Sequence, residues 1–226
     1  MEIDNNQQKI RSFGRIKSRK LTENKINVLD NILPLYQLKE EEINNIFNTK
    51  NITFFEIGFG YGEHTVHQAK LNPQANIIAC ETYINGVLSI ISKIEKEKIN
   101  NIKIFNGDAR LLLEKIPDHS IDKIFILFPD PWPKKKQNKR RIINGEFIDL
   151  VRKKLKIGGI LFFASDIINY VEWTFNYTSG KLQPLFNSLE YCKKEPEWWI
   201  KTRYQEKAIK EGRESYFLEF QNTLNI

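Results

Sequence analysis

Ile52-Thr53-Phe54-Phe55-Glu56-Ile57-Gly58-Phe59-Gly60-Tyr61-Gly62 is the stretch whose reading decides the fold. Its first six residues are β-branched or aromatic apart from one carboxylate, and the run is short, as in a buried strand. The alternating glycines that follow let the backbone turn sharply and approach a ligand closely. The same rhythm continues outward. A helix to about Leu71 precedes Pro73, Asn76 to Cys80 reads as a second strand, and Tyr83 to about Lys98 as a long helix. Ile102 to Phe105 is a third strand, with a helix from Asp108 to about Lys115. Lys123 to Phe128 is a fourth strand halted by Pro129. Glu146 to Leu155 is a helix, and Gly158-Gly159 turns into a fifth strand, Ile160 to Ala164. Short apolar strands alternating with helices imply an α/β fold with a mostly parallel sheet covered on both faces. Toward the C-terminus, a helical stretch (Glu206 to Glu211) leads to the alternating run Tyr216 to Phe220, expected to join the sheet antiparallel. On the N-terminal side, Thr22 could cap a helix carrying Ile26, Leu29, Ile32 and Leu33 and stopped by Pro34, with a short helix from Lys39 to Phe47.

A doubly wound sheet binds ligands beyond the carboxyl ends of its strands. Carboxylates stand at each of those ends: Glu56, Glu81, Asp108, Asp130 and Asp166. Such a rim repels itself unless something cationic or rich in donors sits there. The glycine loop does not fit a dinucleotide site, because Glu63 occupies the place of the third glycine counted from Gly58. The Gly-Lys-Ser/Thr of a phosphate-cradling loop is also absent. S-adenosylmethionine suits the acids better: it has no phosphates, a cationic amine and a sulfonium. Glu81 lies near the separation at which an acid meets a ribose in βαβ nucleotide sites, and Asp108 could reach an adenine amino group, although either could serve only as a cap or loop residue.

Charge adds a second ligand. The chain has 226 residues and a net charge of +7. Residues 1–25 carry +4, and Lys134-Lys-Lys-Gln-Asn-Lys-Arg-Arg141 carries +6, so the remaining 193 residues sum to −3. Two basic tracts on an acidic body point to nucleic acid. The second tract comes directly after Phe128-Pro129-Asp130-Pro131-Trp132-Pro133, where three of the eight prolines fall. Prolines stiffen such a loop and favour extended backbone in the residue before each. An acid and an aromatic ring held beside phosphate-binding cations could stack a base and bond its edge. Trp198 and Trp199 are read as packing residues first and pocket walls second. His64, His67 and His119 fall in no catalytic pattern and read as surface or helix-packing residues.

Cys80 and Cys192 are too few for a disulfide framework or a four-thiolate zinc site, and no metal is expected. No apolar run reaches the ~20 residues of a membrane span, and the first residues lack the apolar core of a secretion signal. The expected setting is cytoplasmic. Residues 1–20 are expected to be a flexible basic arm, and 21–226 a single domain.

The residues also carry a resemblance. Phe128-Pro-Asp-Pro-Trp-Pro-Lys-Lys with Asn138-Lys-Arg-Arg141, Arg11-Ser-Phe-Gly-Arg15, Glu56-Ile-Gly-Phe-Gly-Tyr-Gly62, Ser165-Asp166 and Thr202-Arg-Tyr-Gln205 with Lys207 resemble the bacterial tRNA (guanine-N7-)-methyltransferases. The resemblance implies a class I S-adenosylmethionine-dependent methyltransferase fold, Rossmann-like, acting on N7 of a tRNA guanine, typically position 46 of the variable loop. It implies that Glu56, Gly58, Glu81, Asp108 and Asp130 bind the cofactor and that Asp130 is also catalytic. Lys134, Asp166, Thr202, Arg203, Tyr204 and Gln205 would contact substrate. Lys136, Gln137, Asn138, Lys139, Arg140 and Arg141 would touch RNA. Gln205 stands where the family usually has Glu, which keeps an acceptor and adds donors. Neither a membrane nor an obligatory protein partner is implied, and the chain would be a monomer or homodimer. Three other readings fit fewer residues. A small-molecule methyltransferase leaves the basic tracts idle, a non-catalytic RNA binder leaves the strand-end acids idle, and an NAD enzyme conflicts with Glu63.

Overall fold

In the computed structural model, which describes residues 21–223, seven strands form one sheet in the order β3-β2-β1-β4-β5-β7-β6. The strands are β1 (Thr53–Ile57), β2 (Asn76–Glu81), β3 (Ile102–Asn106), β4 (Ile121–Leu127), β5 (Leu155–Ser165), β6 (Gln183–Pro184) and β7 (Tyr216–Gln221). The first five are mutually parallel, and β7 runs antiparallel between β5 and β6. This is the mostly parallel sheet with an antiparallel C-terminal strand that the strand and helix rhythm anticipated.

Alternation along the strands builds the core on both faces. Phe55, Ile57, Ile78, Ile124, Ile126, Leu161 and Phe163 face one side, packed by α6 (Ala109–Lys115), α7 (Gly145–Lys154) and α8 (Ile168–Thr178). Ile77, Ala79, Ile102 and Ile104 face the other, under α4 (Glu63–Leu71) and α5 (Ile84–Glu97). On that second side, Phe125, Leu127, Phe162, Ala164 and Phe217 form an aromatic patch closed by Trp198 and Trp199. The two tryptophans are therefore packing residues, as expected of paired aromatics.

Several local expectations change. The N-terminal helix does not stop at Pro34: α1 (Glu23–Asn27) passes through a π-helical segment, Val28–Ile32, into α2 (Leu33–Tyr36). Proline lacks the N–H that would bond one turn back, and a widened turn just before it relieves the ring's clash with that turn. Thr22 occupies the cap position, but its side chain makes no cap bond. α3 (Glu40–Phe47) forms as expected. Gly158-Gly159 lies inside β5 rather than ahead of it. The pairing of β4 with β5 shifts there, and Asn222 brackets the irregularity by bonding the Gly158 N–H and the Gly159 carbonyl. α8 and β6 had no counterpart in the sequence reading, and α9 (Arg203–Lys210) starts three residues earlier than expected.

No helix among the described residues is long and apolar enough to cross a membrane. The arm expected over residues 1–20 lies outside the described residues.

Candidate active site

A cavity of about 470 Å³ opens at the carboxyl ends of β1, β2, β3 and β4. This is the point where chain order reverses between β1 and β4, the usual ligand crevice of a doubly wound sheet. Gly58, Glu81, Asp108 and Asp130 all line it, together with Tyr204, Lys139, Arg140 and Arg141.

The glycine loop is held by Glu81. Its Oε2 accepts from the Gly60 N–H at 2.8 Å, and its Oε1 from the N–H groups of Thr82 and Tyr83 at 2.8 and 2.9 Å. Burial raises the Glu81 carboxyl above its ordinary pKa, the three donors offset part of this, and the charge of Asp130 adds to it. Two glycines are needed for the fit. Gly60 has φ +59°, and a Cβ there would meet Tyr204 Cε2 at 2.8 Å. A Cβ on Gly86 of α5 would lie 2.1 Å from the Gly60 carbonyl oxygen.

Asp108 caps α6 by accepting from the Arg110 N–H at 3.0 Å, while the Arg110 side chain donates through Nε at 2.9 Å and Nη2 at 2.6 Å. Burial works to raise this carboxyl, but the Arg110 bonds outweigh it and hold the pKa below the usual value. Asp130 is solvent-accessible at the cavity mouth, yet enough protein surrounds its carboxyl for desolvation to raise its pKa.

The Asp130 loop departs from the extended backbone its prolines suggest. Phe128 and Trp132, each directly before a proline, have φ of +47° and +44°. A non-glycine residue in this region costs about 1–3 kcal/mol and persists only when its surroundings dictate it. The Phe128 N–H bonds the Ala164 carbonyl at 2.8 Å. With its amide oriented to satisfy both ends, Asn138 donates to the carbonyls of Trp132 at 3.1 Å and Lys134 at 3.3 Å.

The basic tract folds as a 3₁₀ helix, Lys135–Arg140, and it divides. Lys134, Lys135, Lys136 and Lys139 are exposed on it. Gln137 and Asn138 are half-buried, and Asn138 is committed to the loop carbonyls. The Arg140 guanidinium sits 4.8 Å from the Trp132 ring centroid. Arg141, expected among the RNA contacts, is only 2% exposed, and its Nε and Nη2 are taken by protein acceptors. It lines the cavity with Nη1 unpaired but lies off the exposed face of the tract that the lysines present.

Two of the five strand-end acids are also directed elsewhere. Glu56, 3% exposed, does not line the cavity; alternation along β1 turns it toward α4, where His64 Nδ1 and Thr65 Oγ1 donate to it at 2.9 and 2.8 Å. His64 is thereby a buried partner of β1, edge-on to Phe125 and tilted against Trp199. Asp166 accepts from Arg213 Nε at 2.7 Å and lies outside the cavity lining. The self-repulsion that five acids would suffer is thus reduced to three.

The Thr202–Gln205 segment splits similarly. Thr202 is a buried N-cap for α9, accepting from the Gln205 N–H. Arg203 stacks on Tyr61, 3.4 Å from its centroid, and bonds Glu63 Oε1 through Nε and Nη2 at 3.0 and 2.8 Å. Tyr204 reaches the cavity, its phenol pushed up to about 12 by burial and by the nearby Glu81. Gln205 faces inward. Its Oε1 accepts from Trp199 Nε1 and its Nε2 donates to Glu195 Oε1, both at 2.7 Å.

The sequence reading missed Tyr61, Tyr83, Arg110 and Asn144, which also line the cavity. Position carried a signal for two of them: Tyr61 lies inside the glycine loop, and Tyr83 two residues beyond Glu81. Among the described residues no cluster of three or more His, Cys, Asp or Glu could hold a metal ion.

Comparison with known proteins agrees with this geometry. The profile of a family described as "Putative methyltransferase" matches residues 50–218. A tRNA (guanine-N(7)-)-methyltransferase of Ruegeria sp. is 35% identical over 92% of this chain and 86% of its own length. A bifunctional methyltransferase of Rickettsia conorii is 40% identical over 95% of this chain, which spans only 40% of that relative's length. A solved 16S rRNA methyltransferase, KamB, superposes with a TM-score of 0.58 over 84% of this chain and 95% of its own, at 12% identity, a likeness of fold. With its glycine loop, its Pro-Asp-Pro-Trp segment and relatives of that name 35% and 38% identical and covered over 86% and 85% of their length, the chain belongs to the tRNA (guanine-N7-)-methyltransferase family.

Proposed function

We propose that this chain transfers a methyl group from S-adenosylmethionine to N7 of a guanine in tRNA, at position 46 of the variable loop. The observation that carries the reading is the joining of a carboxylate-lined cavity to a lysine-rich 3₁₀ helix through the Asp130 loop. The donor set suits this cofactor. Glu81, Asp108 and Asp130 would repel the phosphates of a dinucleotide, and Glu81 and Asp108 can accept from hydroxyls and an amine.

Glu81 spends three acceptor positions on the loop and retains capacity for a ribose hydroxyl. Asp108 is the acceptor for the adenine amino group, sharing its carboxylate with Arg110. Glu56 supports the site from behind by tying β1 to α4. When bound, S-adenosylmethionine supplies an electrophilic methyl group on a sulfonium. Guanine N7 has an in-plane lone pair and no proton to lose, so no general base is required, consistent with histidines that serve packing. Asp130 accepts from the guanine N1–H and exocyclic amine. Those bonds strengthen as positive charge enters the ring, because N1–H becomes more acidic. Alignment of this kind is worth on the order of 7–11 kcal/mol. Asp166 is the weaker candidate for this role, since Arg213 already neutralises it.

Lys134, Lys135, Lys136 and Lys139 grip phosphates, with Arg140 beside Trp132 at the cavity edge. Tyr204 lines the cavity beside Gly60, and Thr202, Arg203 and Gln205 place it. The test is labelled methyl transfer to unmodified tRNA compared with tRNA carrying 7-deazaguanine at position 46. Transfer to the first alone supports the reading; equal transfer to both excludes N7 at that position.

A further inference from the structure

We propose that Arg141 is a positioning residue for Asp130. Its guanidinium clamps the Pro129–Trp132 loop to α8 and takes no part in gripping RNA. The proposal rests on the reading of Asp130 as the carboxylate that holds guanine.

Arg141 Nε donates to the Pro131 carbonyl at 2.8 Å, and Nη2 donates to Asn169 Oδ1 at 2.8 Å. The guanidinium lies 4.7 Å from the centroid of Tyr170 and 4.9 Å from that of Trp173. Tyr170 is fully buried, and Trp173 Nε1 donates to the Ile143 carbonyl at 2.7 Å, so both rings are fixed. The ring of Pro131 locks its own φ. The Pro131 carbonyl belongs to the peptide joining Pro131 to Trp132, so holding it leaves only the ψ of Pro131 between a fixed peptide and the one joining Asp130 to Pro131. The loop also carries two left-handed residues, Phe128 and Trp132, which would relax if their surroundings let them. Arg141 ties the stretch between them to Asn169 of α8. A buried, planar fork with one donor on the loop and one on a helix fits this work better than a flexible ammonium would.

The tract beside it therefore has two roles. Its exposed lysines face solvent, whereas Asn138, Arg140 and Arg141 fold back on the loop that precedes them.

The full chain and unmodified tRNA supply the test, with Arg141→Ala, Arg141→Lys and Asn169→Ala measured for kcat, for tRNA Kd and for the slope of log K against log salt. Arg141→Ala should lose on the order of 10²-fold in kcat, the effect of a displacement of about 1 Å at a reacting centre. Its tRNA Kd should stay within about two-fold and its salt slope unchanged. Arg141→Lys, which keeps one donor for Pro131, should recover part of the rate, and Asn169→Ala should lose rate without losing tRNA affinity. If Arg141→Ala does not fold, the other two variants carry the same expectation. A variant with normal kcat, weaker tRNA binding and a slope reduced by about 1 overturns the proposal, because that is the signature of a phosphate contact. A parent chain that does not methylate tRNA overturns the proposed function as well, whereas an active parent with the phosphate signature overturns the Arg141 assignment alone.

Discussion

Substituting Gln205→Glu should destabilise this chain although Glu is the residue its family usually carries there. The amide orientation is dictated by chemistry: Trp199 Nε1 only donates, so the amide oxygen faces it and the nitrogen faces Glu195. A carboxylate at position 205 would set an oxygen about 2.7 Å from Glu195 Oε1. At an effective dielectric near 20, two charges at that separation repel by roughly 6 kcal/mol. Taking up one proton is cheaper. At pH 7 it costs about 1.36 kcal/mol for each of roughly 2.7 pH units above an ordinary Glu, or about 4 kcal/mol. Glu195 is partly exposed and can instead turn toward water. The cost is then the lost charge-assisted hydrogen bond, about 1.5–3 kcal/mol. The expected loss is therefore about 2–4 kcal/mol at pH 7 and near 1 kcal/mol at pH 5. The sign comes from the raised folded-state pKa of the pair: its stability is intact below the ordinary Glu pKa and is lost as pH rises toward the folded value. Urea unfolding at both pH values measures this, with Glu195→Gln added to complete a double-mutant cycle. Equal stability of Gln205→Glu and the parent at pH 7 would refute the reasoning, as would a failure of Glu195→Gln to restore most of the loss.

Three further outcomes are expected. Asp130→Asn should lower kcat by about 10²-fold while leaving S-adenosylhomocysteine affinity nearly unchanged; in the parent, kcat should fall with acid at a pH above the ordinary Asp value near 3.9, since burial raises this carboxyl and the ionised form is the active one. Equal losses in rate and affinity would make Asp130 a cofactor ligand only. With Arg140 and Arg141 turned to the loop, the four exposed lysines of the tract remain for phosphates, so their contribution to the salt slope of tRNA binding should be about −2.8 to −3.6, and an affinity insensitive to salt would remove the tract from the interface. Gly86→Ala should cost about 1–3 kcal/mol and weaken S-adenosylhomocysteine binding, because its Cβ would meet the Gly60 carbonyl at 2.1 Å and push α5 from the loop; normal affinity in calorimetry would show that the contact does not set the site.

The parallel sheet was legible because each strand is a short apolar run ended by glycine, proline or an acid, and those signals are local. The continuation past Pro34 was not, because the π-helical segment ahead of it goes with tertiary packing of Leu29, Ile32, Leu33 and Tyr36 on the sheet, which residue type alone does not reveal. Glu56 and Asp166 show the same limit at the site. Both stand at strand ends, and sequence position does not say whether a side chain faces the cavity or a partner such as His64 or Arg213.

By itself, the sequence determined the fold class, the rim of carboxylates, the stiff Pro-Asp-Pro-Trp loop and the basic character of residues 134–141, since each depends on residue type and spacing. Only the tertiary structure decided which acids share the cavity and which cations of the tract stay free. Charge is a property of a residue, whereas the availability of that charge depends on burial and partners. Arg140 and Arg141 are chemically identical neighbours, yet one stacks at the cavity edge on Trp132 and the other is enclosed between the loop and α8.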